Sequence, residues 1–298
     1  MTRTILVTGS TGLVSSALRE ELQALTAAET APPRVRALVR NAEKAASLKG
    51  SNIEIAEGDL DVPESLARAF EGVTDLWLLN GVTPRQPENS MNALHAARAA
   101  GVERVVRMSA IGAAHDAPTR NGRLHALSDA ELMQSGLKWT ILRPHFFMQN
   151  LFAVASTVAE QGAFYWDMGE GRLGLIDARD IGAFAARVLL AAPSVHDKKI
   201  YTLTGPESLS MSDVAARMTR ALGTNVRYVP VSHEAARQSM LQSGMSPWLA
   251  GMMFEYASAY ERNWGDFVTA HVANVVGRNP RNVEEFVRDH AAMFQRAA

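Results

Sequence analysis

The sequence predicts a doubly wound α/β protein, a parallel sheet flanked by helices, with a smaller, mostly helical lobe after it. Three observations lead there. Thr4 to Thr8 form a short β-branched and apolar run that enters a small-residue turn, Gly9-Ser10-Thr11-Gly12, and then a helical stripe of Leu13, Ala17, Leu18 and Leu22. Over the first half, six strand-like segments alternate with helix-like ones, the order of βαβ units in a parallel sheet. After about residue 150 that regularity fades and helical patterns dominate. The expected division is a nucleotide-binding domain over 1–150 and a smaller substrate-binding lobe over 151–298, with the chain crossing between them.

Each element has its own signal. Ala31-Pro32-Pro33 breaks the chain after the first helix, and Val35 to Val39 reads as a second strand. Residues 41–49 suggest a short helix, and Ile53 to Ala56 a third strand. Pro63, favoured in a first helical turn, opens a helix through Phe70. Asp75 to Leu79 is a fourth strand closed by Asn80-Gly81, and the alanine-rich helix over 88–100 stops at Gly101. Arg104 to Met108 is the fifth strand, 121–135 a helix, and Trp139 to Leu142 the sixth strand. Beyond the boundary, Asp180 to Ala192 is an amphipathic helix stopped by Pro193, and Lys199 to Leu203 is a strand. Ser210 with Asp213 three residues on is a capping-box start for a helix to Leu222. Val226 to Val229 reads as a strand, and from Ser232 the chain is largely helical, broken at Gly244, Pro247, Gly277 and Pro280.

A strand running through glycines into a helix places bare N–H groups and the positive end of a helix dipole at one point. That is a phosphate cradle, and in a Rossmann-type domain it holds the pyrophosphate of a dinucleotide. Gly9, Ser10, Thr11, Gly12, Leu13 and Val14 are the candidate cradle. In sites that take NAD, an acidic residue typically ends the second strand and meets the adenosine ribose. Here that strand ends Val39-Arg40-Asn41. Arg40, with Lys44 one turn later, suits a 2′-phosphate, so NADP(H) is expected over NAD(H); the plainer alternative is a pair of solvated surface charges. Asp59 and Leu60, after the third strand, are placed to meet the adenine, or simply to turn the chain.

Composition removes several function classes. The chain has 298 residues, 47% hydrophobic and 20% charged, with net charge −1. No basic stripe favours nucleic acid. No cysteine is present, so thiol chemistry and thiolate metal sites are excluded. No apolar run approaches the roughly 20 residues of a membrane span, and the chain enters its first strand without a signal segment. The expectation is a cytoplasmic protein, monomer or homodimer, free of membrane and nucleic acid. The eight histidines include no H-E-x-x-H pair, and no G-x-S-x-G elbow supports serine hydrolysis. No metal is expected.

Several stretches together resemble the NmrA-like branch of the short-chain dehydrogenase/reductase superfamily. VTGSTGLVSSAL resembles the family's TGATGxxG turn, and LVRNAEK its NADP-reading segment. GDLDVPESLARAFEGV, SGLKWTILRPHFFMQN, DARDIGAFAARVL, YTLTGPESLSMSDVAARM and GRNPRNVEEFV are similar to further blocks along nearly the whole chain. The resemblance implies a nicotinamide lying between the domain and its lobe. It also implies one of two functions. Some members are NADPH-dependent quinone, azo-dye or triphenylmethane-dye reductases, and others are nucleotide-binding redox sensors without turnover. Two departures stand out. Ser15 occupies the third glycine position of the turn, where a small residue lets the helix approach the strand. None of the five tyrosines has a lysine four residues later, so the superfamily's Tyr-x-x-x-Lys acid is missing.

Without that acid, an acceptor whose reduced form is delocalised and can draw its proton from water is the expected substrate, a small aromatic quinone or dye. His125 aligns with the position where relatives carry histidine or lysine near the nicotinamide ribose, and it is the first candidate catalytic residue; a surface helix histidine is the alternative. Ser109, ending the fifth strand at the superfamily's serine location, is the second, unless it only caps its loop. Asn80 and Gly81 end the fourth strand beside the expected cofactor. Phe146 and Phe147, in the loop after the sixth strand, close over the nicotinamide by resemblance, or pack the lobe. Trp166, Trp248, Met252 and Met253 offer an apolar wall or a core. Arg179-Asp180 reads as structural, and Asp129 and Glu131 as solvated helix carboxylates.

Overall fold

The computed structural model describes residues 3–43, 45, 48 and 53–295. Of the short helix expected over 41–49, Lys44 and positions 46, 47 and 49 lie outside the described residues. The chain forms two compact units, one of Met1–His115, Asn121–Arg143 and Ile181–Tyr201, the other of Asp116–Arg120, Pro144–Asp180 and Thr202–Ala298. In chain order the elements are β1 (Thr4–Val7), α1 (Leu13–Thr26), β2 (Arg34–Val39), β3 (Ile53–Glu57), α2 (Ala67–Phe70), β4 (Asp75–Leu78), α3 (Gln86–Ala99), β5 (Arg104–Met108), α4 (Arg120–Gln134) and β6 (Lys138–Pro144). There follow α5 (Ala155–Gln161), β7 (Ala163–Trp166), α6 (Ala178–Leu190), α7 (Pro193–His196), β8 (Lys199–Leu203), α8 (Met211–Leu222), β9 (Arg227–Pro230), α9 (His233–Gln242), α10 (Pro247–Glu261), α11 (His271–Val276) and α12 (Val283–Asp289).

The sheet of the first unit runs β3-β2-β1-β4-β5-β6-β8, and the pairs among β1 to β6 are parallel. Strand order reverses between β1 and β4, which creates the crevice where such sheets take ligands. Both strands are buried along their whole length, as strands covered by helices on two faces must be. Thr8 continues β1 and ties it to β4: its backbone N–H donates to the Trp77 carbonyl at 3.1 Å, and its hydroxyl donates to Leu79 O at 2.9 Å and accepts from Leu79 N at 2.8 Å. Below one face, Leu6, Leu76, Phe70, Leu94, Leu132 and Ile141 share a core.

At the opposite end of the strands a buried ionic cluster holds the unit together. Asp75 accepts from Arg3 Nε at 2.7 Å and from Arg104 Nη2 at 2.6 Å. Both arginines also donate to Leu189 O, and Arg104 reaches Val188 O at 2.8 Å and Ala191 O at 3.1 Å. The open carbonyls at the end of α6 thus receive guanidinium donors, a match of hydrogen bonding and dipole charge. Burial alone would raise the Asp75 pKa; Arg3 and Arg104 outweigh it and hold the carboxyl below its usual range.

The second unit has its own core, in which Leu151, Phe164, Leu173, Met218, Tyr260 and Phe286 meet. Its β7 pairs in parallel with β9, from Ala163↔Arg227 to Trp166↔Pro230. Neither β7 nor α5 was expected from the sequence, and no Gly-Ser-Thr-Gly or Asn-Gly turn of the kind that closes β1 and β4 follows either. The region 63–70 is a 3-10 turn over Pro63–Ser65 followed by the short α2, and a further 3-10 segment covers Met148–Val154. The Ser210–Asp213 capping box forms at the start of α8.

One contact of this unit is pH-sensitive. His233, in the first turn of α9, lies 3.0 Å from Asp167 Oδ2 and 2.8 Å from Glu261 Oε2. Partial burial disfavours its charge, but the two carboxylates outweigh that and raise its pKa. A raised histidine pKa stabilises the fold fully below about pH 6.5, the unfolded value, and that contribution is lost as pH rises through the folded value. Urea unfolding followed across this window should show wild-type stability falling with pH more steeply than in His233→Gln; parallel curves would exclude the carboxylate clamp.

Candidate functional site

The glycine turn is built around two glycines with different surroundings. Gly9 has φ +57°, and a Cβ there would sit 2.7 Å from Leu79 Cδ2. Gly12, whose N–H donates to Gly9 O at 2.9 Å, caps α1 with no side-chain hydrogen bond and no acidic residue in the following turn. A Cβ on Gly12 would meet only Gly9 O, at 3.2 Å, and would otherwise project into open space. The first-turn N–H groups of α1, which include those of Leu13 and Val14, thus receive no side-chain cap from Gly12. Ser10 is turned inward, its hydroxyl donating to Val7 O at 2.5 Å, while Thr11 and Leu13 are exposed. Arg19, which sequence reasoning missed, folds back along α1 and donates to Ser10 O at 3.2 Å and Ser16 Oγ at 3.0 Å. It braces the turn from behind.

Ser15 does not crowd this face. Its hydroxyl points into the sheet, donating to Thr8 O at 3.0 Å and accepting the Trp77 indole N–H at 3.0 Å. Both residues are fully buried. The close approach expected of a glycine here occurs instead at Gly182 of α6, where a Cβ would lie 2.7 Å from Ala17 of α1.

Arg40 stands exposed just past β2. Gly58, at the adjacent strand end, donates to Val39 O at 2.9 Å, which places Asp59 and Leu60 beside the end of β2. Asp59 Oδ1 accepts from Asp61 N at 3.0 Å, and Leu60 O accepts from Asn92 Nδ2 at 2.8 Å. Asn80 is buried after β4; its Nδ2 donates to Gln86 O and Ser90 Oγ, at 3.1 and 2.9 Å. Its Oδ1 is sealed from solvent with no partner among the described residues. Gly81 is exposed beside it.

His125 and Ser109 are brought together by a buried network that sequence reasoning missed. Arg107 of β5 is fully buried. It donates from Nε to Asp129 Oδ1 at 3.0 Å, from Nη1 to Ser90 Oγ at 3.2 Å, and from Nη2 to His125 Nδ1 at 3.0 Å. Ser109 donates to Asp129 Oδ2 at 2.8 Å, and Arg143 reaches the same oxygen at 2.9 Å. Through Ser90 the network extends to Asn80. Asp129 is thus no solvated carboxylate but, at 1% exposure, the hub of three donors. The correction has a plain cause: Gly122, His125, Asp129 and Leu132 form one helical stripe, and that stripe faces β5 and β6. Glu131, off the stripe, is exposed. The available signal was Arg107 itself, since an arginine within an apolar strand buried on two faces demands a buried acid.

His125 is correspondingly no surface histidine. Burial, with the positive charges of Arg107 and Arg143, pushes its pKa well below the ordinary imidazole value. Arg107's own pKa is lowered by burial, and Asp129 counters that effect.

In the second unit, Phe146 packs edge-on against Trp166 and Tyr260, at centroid distances of 5.4 and 5.9 Å. Phe147 bridges to Ile176. His145 between them and β6 is structural: Nδ1 accepts from Phe146 N at 2.7 Å, leaving Nε2–H to donate to Gly265 O at 3.0 Å. Burial lowers its pKa to about 4. Met252 is core, Trp166 and Trp248 are half-buried, and Met253 is exposed. Arg179 pairs with Asp177 and Asp289, and Asp180 with Arg278 and Arg281. No described helix is long and apolar enough to cross a membrane, and no cluster of three or more metal-ligating side chains occurs among the described residues.

The NmrA-like family model matches residues 1–287. The chain belongs to the NmrA-like family. It is 38% identical to the NAD(P)H azoreductase of Xenophilus azovorans over 97% of this chain and 99% of the relative. It is 30% identical to quinone oxidoreductase 2 of Escherichia coli K12, over 84% and 85% of the two chains. The crystal structure of the E. coli NADPH-dependent quinone oxidoreductase complexed with NADPH superposes with TM-score 0.86 at 26% identity, covering 97% of this chain and 99% of that one. These relatives place the chain among the family's oxidoreductases.

The Ser15–Trp77 contact makes a stability prediction. Ser15→Ala leaves a fully buried indole N–H unpaired and should cost about 1–3 kcal/mol in urea unfolding. An unchanged midpoint would show that the contact contributes nothing.

Proposed function

We propose that this protein is an NADPH-dependent reductase that delivers hydride to a quinone-like, azo or triphenylmethane aromatic acceptor. The observation that carries the reading is the Gly9–Val14 turn, whose face is open at Gly12 and backed by a helix N-terminus without a cap. The residues present fit a dinucleotide. A Cβ on Gly12 would occupy the space in which a pyrophosphate would meet the turn, and the orphaned Oδ1 of Asn80 offers a buried acceptor beside β4.

In this reading Gly9, Ser10, Thr11, Gly12, Leu13 and Val14 hold the pyrophosphate through backbone N–H groups. Arg40, with Lys44, pairs with the 2′-phosphate, and Asp59 and Leu60 border the adenine. Asn80 and Gly81 line the floor after β4, and His125 meets the nicotinamide ribose. Phe146 and Phe147 shape the acceptor end. The bound cofactor would supply the hydride. What the chain supplies is position: the Ser109 hydroxyl already donates to Asp129, and no tyrosine has a lysine four residues later. Acceptors that need no strong acid fit that inventory. The azoreductase and quinone oxidoreductase relatives support the same substrate class.

Two measurements test the reading. NADPH oxidation followed against naphthoquinones, azo dyes and triphenylmethane dyes should reveal turnover with at least one class; tight NADPH binding without any turnover would assign a redox-sensor role instead. Arg40→Ala should weaken NADPH binding by roughly tenfold or more while leaving NADH nearly unchanged, because only the 2′-phosphate contact is lost. Equal losses for the two cofactors would sink the 2′-phosphate assignment.

A further inference from the structure

We propose that Arg107 is a positioning residue that locks His125 as the neutral Nε2–H tautomer, so that His125 serves as a hydrogen-bond donor and never as a proton source. The inference rests on the reductase reading only for its chemical setting; the tautomer follows from this chain alone.

A guanidinium has donors and no acceptor. With Arg107 Nη2 3.0 Å from His125 Nδ1, Nδ1 must present its lone pair, and the ring proton must sit on Nε2. Arg107 cannot turn away to release it. Nε is bonded to Asp129 and Nη1 to Ser90, and the residue has no exposed surface, so rotation would strand donors where no water can replace the lost partners. Protonating Nδ1 would set N–H against N–H and place an imidazolium beside a buried cation.

The surroundings do not relieve that conflict. From β5 His125 faces Arg107, and from β6 the charge of Arg143 acts on it. On its own helix the only acid in the network is Asp129, already shared by Arg107, Arg143 and Ser109. From α3 the network receives Ser90 and Gln86, which are neutral. Burial and the two arginines together hold the imidazole pKa well below its usual range. His125 keeps 8% of its surface exposed, and among the described residues its ring hydrogen-bonds to Arg107 alone, through Nδ1, which leaves Nε2 for a bound molecule. One face of the ring is therefore fixed by protein, and the other offers a single N–H to whatever binds.

The consequence reaches the chemistry. The proton that completes reduction of the acceptor comes from water, and His125 contributes orientation alone. Arg107 is needed because lysine, a point donor on a flexible stem, cannot hold Asp129, Ser90 and His125 in one plane.

Histidine-selective ¹⁵N NMR on the full chain tests the tautomer without reference to turnover, with His125→Gln used to assign the signal. The expected result is a pyridine-type Nδ1 and a pyrrole-type Nε2 that do not titrate between about pH 5 and 8, the window of an unperturbed imidazole. A signal that titrates there, or an Nδ1–H tautomer, would overturn the proposal whether or not any acceptor turns over. A non-titrating Nε2–H signal in a protein without turnover would uphold it while the reductase reading fails. With an active acceptor, kcat/KM should show no ionisation from His125 in this window. Arg107→Met should introduce one, because the blocking donor and its charge are gone. His125→Ala should lower kcat/KM roughly tenfold, the worth of one hydrogen bond, and His125→Gln, which keeps a donor near the Nε2 position, should recover part of it. An Arg107→Met variant that folds and retains the flat wild-type profile would also overturn the assignment.

Discussion

A guanidinium buried in the middle of a parallel sheet is tolerable only if each of its nitrogens finds a partner, and that requirement organises this end of the sheet. Arg107 satisfies it with an acid, a hydroxyl and an imidazole drawn from α4 and α3. Removing the partner of a buried charge of this kind costs about 3–5 kcal/mol in other proteins, so the constraint is strong enough to fix side-chain orientations as well as helix register. The result is that the two candidate catalytic side chains, Ser109 and His125, have no freedom to choose their hydrogen-bond roles. Ser109 has given its proton to Asp129, and His125 has given its Nδ1 lone pair to Arg107. Under the proposal above, a site arranged this way would position bound molecules and not exchange protons with them.

The other end of the strands uses the same physics for a different purpose. Asp75, Arg3 and Arg104 form a second buried cluster, but their remaining donors go to the last carbonyls of α6 rather than to side chains that face a ligand. Two buried ionic clusters thus sit at the two ends of the sheet, one closing a helix terminus and one aiming an imidazole. Between them, the approach of α1 to the sheet is set by Thr8, Ser15 and Trp77. Ser15 keeps the turn open by pointing away from it and by tying the indole of Trp77 to the end of β1.

Much of the architecture was legible in the residues. Strands β1 to β6, the glycine turn, the capping box at Ser210 and the helix through residues 180–190 all carry local signals: apolar runs, glycine at a positive φ, a hydroxyl three residues before an acid, and a stripe of period 3.6. β7 and α5 escaped because no turn of the kind that closes β1 and β4 follows either. Their existence depends on β9 and on the core of the second unit, which are remote in the chain.

Sequence by itself showed that a glycine turn leads from the first strand into a helix, that arginine follows the second strand, and that no tyrosine has a lysine four residues later, because each of these is a property of adjacent or regularly spaced residues. Tertiary structure alone decided that Asp129 is buried rather than solvated, that Ser15 bonds an indole 62 positions away, and that His125 lies against a guanidinium. Those facts depend on which face of a helix meets which strand. A polar residue carries no local mark of that choice, since hydrophobicity signals burial and a buried ion pair does not.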